Sequence, residues 1–302
     1  MSSPTAIDDK AVAVAVIGAG ARRACAGSGP ARVIAVFRRA FYLETDAGLA
    51  CFGSAAIGHG PLNAILSPAG AGPPPSLAPG QAATIADGRL RLAGGATLAL
   101  DRATLWRPPP PPARWSPATL RGSLDALAAA DHAPGEGLER FIPWLVDRRR
   151  PPPGGDPLAL AAAPAIAALD QWLTGAGADA PPAAVAGLIG LGPGLTPSGD
   201  DLLGGAMIAL RHFGATALAD RLGAWTLDRA AATGTIARAH LAAAADGLGA
   251  SVLHDMLAAL ETGVGVGVAR DGLAALGHSS GWDGLAGIVV AARALAVGAQ
   301  SE

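Results

Sequence analysis

The sequence predicts an α+β protein with a smaller β-rich N-terminal domain and an Ala-rich helical C-terminal domain. Three observations carry this. Short β-branched and aromatic runs recur up to about residue 105, a proline run follows at 108–112, and beyond it the composition turns to Ala, Leu and Gly with apolar residues at helical spacing. The expected domains are a β-rich unit at 1–107, a Pro-rich linker at 108–117 and a helical unit at 118–302 carrying a Gly-rich loop.

The head of the chain, Lys10 followed by Ala11 to Ala21 and then Ala24-Cys25-Ala26, imitates a leader peptide with its cleavage site. Asp8, Asp9 and the alternation of Ala with Val fit a buried strand better. Gly18-Ala-Gly20 after that strand is a partial dinucleotide fingerprint, but Arg23 stands where a small residue must let helix and strand approach. Arg32–Phe37, Ala40–Glu44 and Leu49–Phe52 read as strands, the last two joined by a turn at 45–48. Thr84–Ala86 and Arg89–Leu92 flank an Asp87-Gly88 hairpin turn, with 96–100 pairing next. Helices are expected at 120–130, 136–147, 158–173, 217–245 and 251–260, with Arg148–Pro153 as an exposed loop.

Composition excludes several classes. The 302 residues are 51% hydrophobic with a net charge of −2, and the 22 basic residues are scattered, so neither nucleic acid nor an anionic membrane is an expected partner. No apolar run approaches the roughly 18 residues of a spanning helix. Cys25 and Cys51 are too few for a disulfide framework and point to a reducing, cytoplasmic compartment. Lys10 is the only lysine, which removes Walker A, pyridoxal phosphate and biotin chemistry unless that residue serves it. His59, His132, His212, His240, His254 and His278 include no close pair for zinc.

The informative stretch is Gly187-Leu-Ile-Gly190-Leu-Gly192-Pro-Gly194-Leu-Thr196-Pro-Ser198-Gly199-Asp200-Asp201, leading into Leu202–Leu210. Its glycines and prolines make the first part a loop feeding a helix that begins near Ser198 or Asp200, and such an entry suits a phosphate or carboxylate. Gly204 and Gly205 let another backbone come close. Of the two adjacent carboxylates, one caps the helix, while the other, Asp201, is the candidate to hold Mg²⁺ or act as a base. A second stretch, Gly277-His278-Ser279-Ser280-Gly281-Trp282-Asp283, echoes it: Ser198-Gly199-x-Asp201-x-Leu203-x-Gly205 matches Ser280-Gly281-x-Asp283-x-Leu285-x-Gly287. Two readings stand. In one, both helix starts converge on a pocket in which Asp200, Asp201, Asp283 and His278 are catalytic and Gly192, Gly194, Thr196, Ser198, Gly199, Ser279, Ser280 and Gly281 bind substrate. In the other, one capping arrangement is used twice. Asn63, with His59 on a Gly/Pro turn, and Arg238, reaching out from a helix, are further candidates to meet a small anion. The Arg148–Arg150 run reads as structural or surface.

The stretch at 190–201 with His-Ser-Ser-Gly-Trp-Asp at 278–283, and more faintly Gly60-Pro61-Leu62-Asn63, resembles the AllH-like family. The resemblance implies a subunit of an oxamate carbamoyltransferase of allantoin degradation, working with two other subunits to move a carbamoyl group between carbamoyl phosphate and oxamate. Carried over by position are Gly192, Gly194, Thr196, Ser198, Gly199, Asp200, Asp201, Ser280, Gly281 and Asp283. A non-catalytic scaffold subunit and a Mg²⁺-dependent phosphotransferase lacking a Walker lysine are the rival expectations.

Overall fold

A computed structural model describes residues 11–67, 72–111, 114–129, 137–175 and 180–298. Lys10 and His132 lie outside them. The chain divides into two compact units, Met1–Arg107 and Pro108–Glu302, the first β-rich and the second helical, as an α+β chain should be.

The N-terminal unit is one nine-stranded sheet. In chain order the strands are β1 (Val12–Gly18), β2 (Gly29–Val36), β3 (Ala40–Thr45), β4 (Gly48–Gly53), β5 (Asn63–Ser67), β6 (Ala82–Ala86), β7 (Arg89–Leu92), β8 (Thr97–Ala99) and β9 (Thr104–Trp106). The order β5-β4-β3-β2-β6-β7-β8-β1-β9 closes into a barrel because β1 also pairs with β5, which covers the edge β5 would carry in an open sheet, while β9 pairs with β1. The hairpins β3–β4 and β6–β7 form as the turn residues dictate. Asp87 and Gly88 take φ of 52° and 68°, the double positive φ of a type I′ turn. Val14, Val33, Phe41, Leu43, Phe52, Leu66, Leu90 and Leu98 fill the barrel.

The head of the chain forms the expected strand: β1 stops at Gly18, and a short helix, α1 (Ala19–Ala24), follows. Close packing sets that boundary. A Cβ on Gly18 would sit 2.1 Å from Gly60 O, and Ala21 N donates to Pro61 O at 2.9 Å. The Gly18 and Gly60-Pro61 segments hold each other, and because β1 and β2, the strands flanking α1, are not neighbours in the sheet, no dinucleotide-binding βαβ crossover forms there.

The helical unit comprises α2 (Pro117–Ala129), α3 (Ile142–Val146) entered through a 3₁₀ turn at Leu138–Phe141, α4 (Pro157–Thr174), α5 (Ser198–His212), α6 (Thr216–Arg229), α7 (Thr235–Ala245), α8 (Ser251–Thr262), α9 (Val266–Gly272) and α10 (Ser280–Gly298). The expected helix at 136–147 is therefore split between the four-residue 3₁₀ turn and the five-residue α3, and the expected 217–245 helix breaks at Thr233-Gly234. At that break Thr233 turns to extended backbone, with ψ 173°, and spends its hydroxyl on Asp200.

Helices α5 and α10 are buried nearly all round, the mark of core helices. By length and composition α10 is apolar enough to cross a membrane, contrary to the expectation that no segment would be. Its buried residues pack within the helical unit, and it also carries Asp283 and the ion-paired Arg293.

Candidate functional site

The two echoing motifs open α5 and α10, and those helix starts lie against one another. Thr196 Oγ1 and Ser280 Oγ are 3.0 Å apart. The serines are exchanged: Ser280 hydrogen-bonds Asp201 of the first motif, and Ser198 hydrogen-bonds Asp283 of the second. The glycines repeat the relation. A Cβ on Gly205 would lie 2.0 Å from Gly284 O, and one on Gly287 would lie 1.9 Å from Leu202 O. Gly199 and Gly281 press in the same way on the carbonyls of Leu188 and Leu273, at 2.0 and 2.2 Å. Equivalent residues thus make equivalent contacts about a local two-fold, which is why one short motif appears twice in the chain.

The carboxylates do not cap their helices. Asp200 Oδ1 accepts from Gly190 N at 3.0 Å and Oδ2 from Thr233 Oγ1 at 2.6 Å, so this side chain ties the loop before α5 to the break before α7. The residue preceding α5 is Pro197, which has no side-chain donor or acceptor. The first-turn amides find backbone partners instead: Gly199 N donates to Leu191 O, and Asp200 N and Asp201 N to Pro197 O. In α10, Gly281 N donates to Leu276 O, and Trp282 N and Asp283 N to Ser279 O. With these amides used, an anion at the helix starts must be met by other donors.

Such donors lie just upstream. Gly190, Gly192 and Gly194 take φ of 73°, 110° and 97°, a positive φ at every second residue. The amides of Gly192, Gly194, Leu195 and Thr196 make no backbone hydrogen bond, and Leu195 is 46% exposed. Successive N–H groups in such a loop form a concave, anion-facing nest.

Beneath the loop sits a set of buried carboxyls. Asp283 is fully buried, with Oδ1 accepting from Leu138 N at 2.6 Å. Glu139 is 2% exposed. Asp201 Oδ2, Asp283 Oδ2 and both carboxyl oxygens of Glu139 are sealed from solvent without a well-formed hydrogen bond. Burial, and secondly the charge of Asp283, hold the Asp201 carboxyl well above the ordinary 3.8. Burial likewise raises Asp283, Asp200 and Glu139, the last also through Asp283. Arg140 is the cation that opposes the rise at both Asp283 and Glu139, and it is already paired with Asp156. Carboxyls so placed are driven toward their protonated forms.

The remaining candidates fall as follows. Ser279 lies at the start of α10 and bonds Asp283, while His278 is exposed beside it. Arg238 is exposed on α7 and bonds its own Thr235 Oγ1 at 3.1 Å. Asn63 belongs to the N-terminal unit, where Nδ2 donates to Ile57 O and Gly58 O and braces that turn. Among the described residues no group of three or more His, Cys, Asp and Glu is arranged to hold a metal ion. Glu139 and Thr233 were missed in the sequence. Glu139 has no motif around it, while Thr233 had a signal in the Thr-Gly pair interrupting an Ala-rich helical run.

Residues 188–292, about a third of the chain, match the family model described as oxamate carbamoyltransferase subunit AllH. The match spans both motifs and makes this segment AllH-like. No curated protein and no solved structure matches the chain.

Proposed function

We propose that this AllH-like chain is one subunit of an oxamate carbamoyltransferase-like enzyme and binds a small anionic substrate, carbamoyl phosphate or oxamate, on the 192–196 loop. The observation that carries the reading is the juxtaposition of that exposed loop, with its unspent amides, and a set of buried carboxyls held above their ordinary values at the paired helix starts. Two adjacent aspartates would repel an anion if both were ionised. Burial that drives these carboxyls toward their neutral forms weakens that repulsion.

The chemistry fits the groups. In carbamoyl transfer the acceptor's amide nitrogen bonds to the carbamoyl carbon, the carbon–oxygen bond to phosphate breaks, and a proton passes from nitrogen to solvent or base. Asp201 and Asp283 are sealed beneath the loop, so they act on that proton through the half-buried hydroxyls of Thr196 and Ser280, which hydrogen-bond Asp201. Thr196, Ser198 and Ser280 orient the pair, and Asp200 fixes the loop through Gly190. A Mg²⁺ ion on Asp201 would have to draw most of its ligands from substrate and water, because the protein builds no metal-holding cluster among the described residues. No step is assigned to it.

The test is thermal denaturation of the full chain with carbamoyl phosphate, oxamate or phosphate, since a ligand that binds the folded state raises the melting temperature. A Cβ on Gly194 meets nothing within 4 Å, yet its φ of 97° strains any other residue. Gly194→Ala should therefore weaken the response about tenfold while leaving the unliganded protein folded. A wild-type chain that responds to none of these anions, but supports carbamoyl transfer when partner subunits are added, would make it a scaffold subunit and reject the substrate site.

A further inference from the structure

An open pocket with charged walls lies far along α10 from these helix starts. Asp170, on the buried face of α4 and 4% exposed, accepts from two arginines: Arg293 Nη1 at 2.6 Å on Oδ1, and Arg148 on Oδ2. Thr174 Oγ1 donates to Asp170 O at 2.6 Å and lies 3.5 Å from Arg293 Nη1. The Arg148 guanidinium rests over the Trp144 ring, 3.7 Å from its centroid. The arginines, Asp170, Thr174 and Gln171, with Ala167 and Gly175, line a shallow, solvent-open pocket of about 510 Å³.

The charge count is what needs an occupant. One buried carboxylate is balanced by one guanidinium, and a second places two like charges on the same wall. Burial, and secondly the field of Arg293, lower Arg148 to about 10. Each arginine spends one N–H on Asp170, leaving the rest of a five-donor planar fork to turn to the pocket. Stacking on Trp144 fixes the plane of one fork in advance. We propose that this pocket binds a small oxyanion, a carboxylate or phosphate group, bridged between Arg148 and Arg293. The site is separate from the 192–196 loop: Arg293 is about 20 Å from Ser280 along the helix, and Arg148, Asp170 and Arg293 all fall outside the matched segment 188–292. The Arg148–Arg150 run, read in the sequence as structural or surface, thus contributes one inward-facing binding group.

Calorimetric titration of the full chain with inorganic phosphate and, separately, with oxalate tests this. Saturable binding of at least one probe is expected, about tenfold weaker or worse in Arg148→Gln, as for loss of a charge-assisted pair. Arg293 still balances Asp170 in that variant, so its melting temperature should stay near wild type. Arg148→Lys keeps the charge without the fork and should fall between the two. Gly194→Ala should leave this binding unchanged, which separates it from the loop site. Binding that Arg148→Gln leaves intact, or no saturable binding of either probe, overturns the proposal.

Discussion

Asp201 sits where burial and a neighbouring carboxyl both favour its protonated form, and this makes a testable statement about stability. A carboxyl raised in the folded state contributes stability fully below its unfolded value of about 3.8 and loses it as pH rises through the folded value. His254 works in the opposite sense. Its Nε2 accepts from Gly249 N at 3.1 Å, so the ring is held neutral. Burial, with the charge of His212 secondary, lowers it from 6.5 to about 4, and its contribution is lost as pH falls across that interval. Asp201→Asn removes the first effect and keeps the second. The variant should melt higher than wild type at about pH 8 and lose that advantage steadily toward about pH 4. Melting curves across that range decide it; parallel curves would mean Asp201 is ionised in the folded protein. The serine, glycine and aspartate of each motif were legible in the sequence because they repeat at fixed spacing. Glu139 was not, because only the fold brings the 3₁₀ turn at 138–141 to Asp283.

The pairing of α5 with α10 depends on glycines whose neighbours are backbone atoms, which cannot move aside as a side chain can. Gly205→Ala and Gly287→Ala would each drive a Cβ to about 2 Å from a carbonyl oxygen and should cost at least the roughly 1–3 kcal/mol of ordinary overpacking. Gly204 is the control. A Cβ there would meet only the Ala244 Cβ, at 3.6 Å, so Gly204→Ala should be neutral or stabilise by up to about 1 kcal/mol through helix propensity. Denaturant titration of the three variants checks the contrast, and equal effects at 204 and 205 would remove the close approach as the organising contact. In the sequence Gly204 and Gly205 read alike, because a glycine pair announces close approach without saying which member faces the partner. Hairpins whose turn residues carry their own geometry, such as Asp87-Gly88, were readable. The β1–β5 pairing that closes the barrel was not, since it joins strands about fifty residues apart. The break between α6 and α7 was masked by Ala-rich flanks that satisfy helical spacing on both sides.

At the scale of the chain the two units have separate cores. The barrel core draws only on residues between Val14 and Ala103, and the helical core only on residues from Leu120 onward. Every group assigned to the loop site and to the Arg148–Arg293 pocket belongs to the helical unit, as does Trp115, which anchors the entry to α2 by donating Nε1–H to Phe213 O at 2.9 Å. A unit of this size with its own continuous core is large enough to fold alone. The fragment 108–302 should therefore unfold in a single cooperative transition and retain the anion response of the full chain, including its sensitivity to Gly194→Ala. Calorimetry of the fragment beside the full chain tests both parts. A folded fragment with no anion response would show that ligand binding requires groups from the barrel, and would return Asn63 and His59 to the list of binding residues. An unfolded fragment would make the division at Arg107 one of geometry and not of stability.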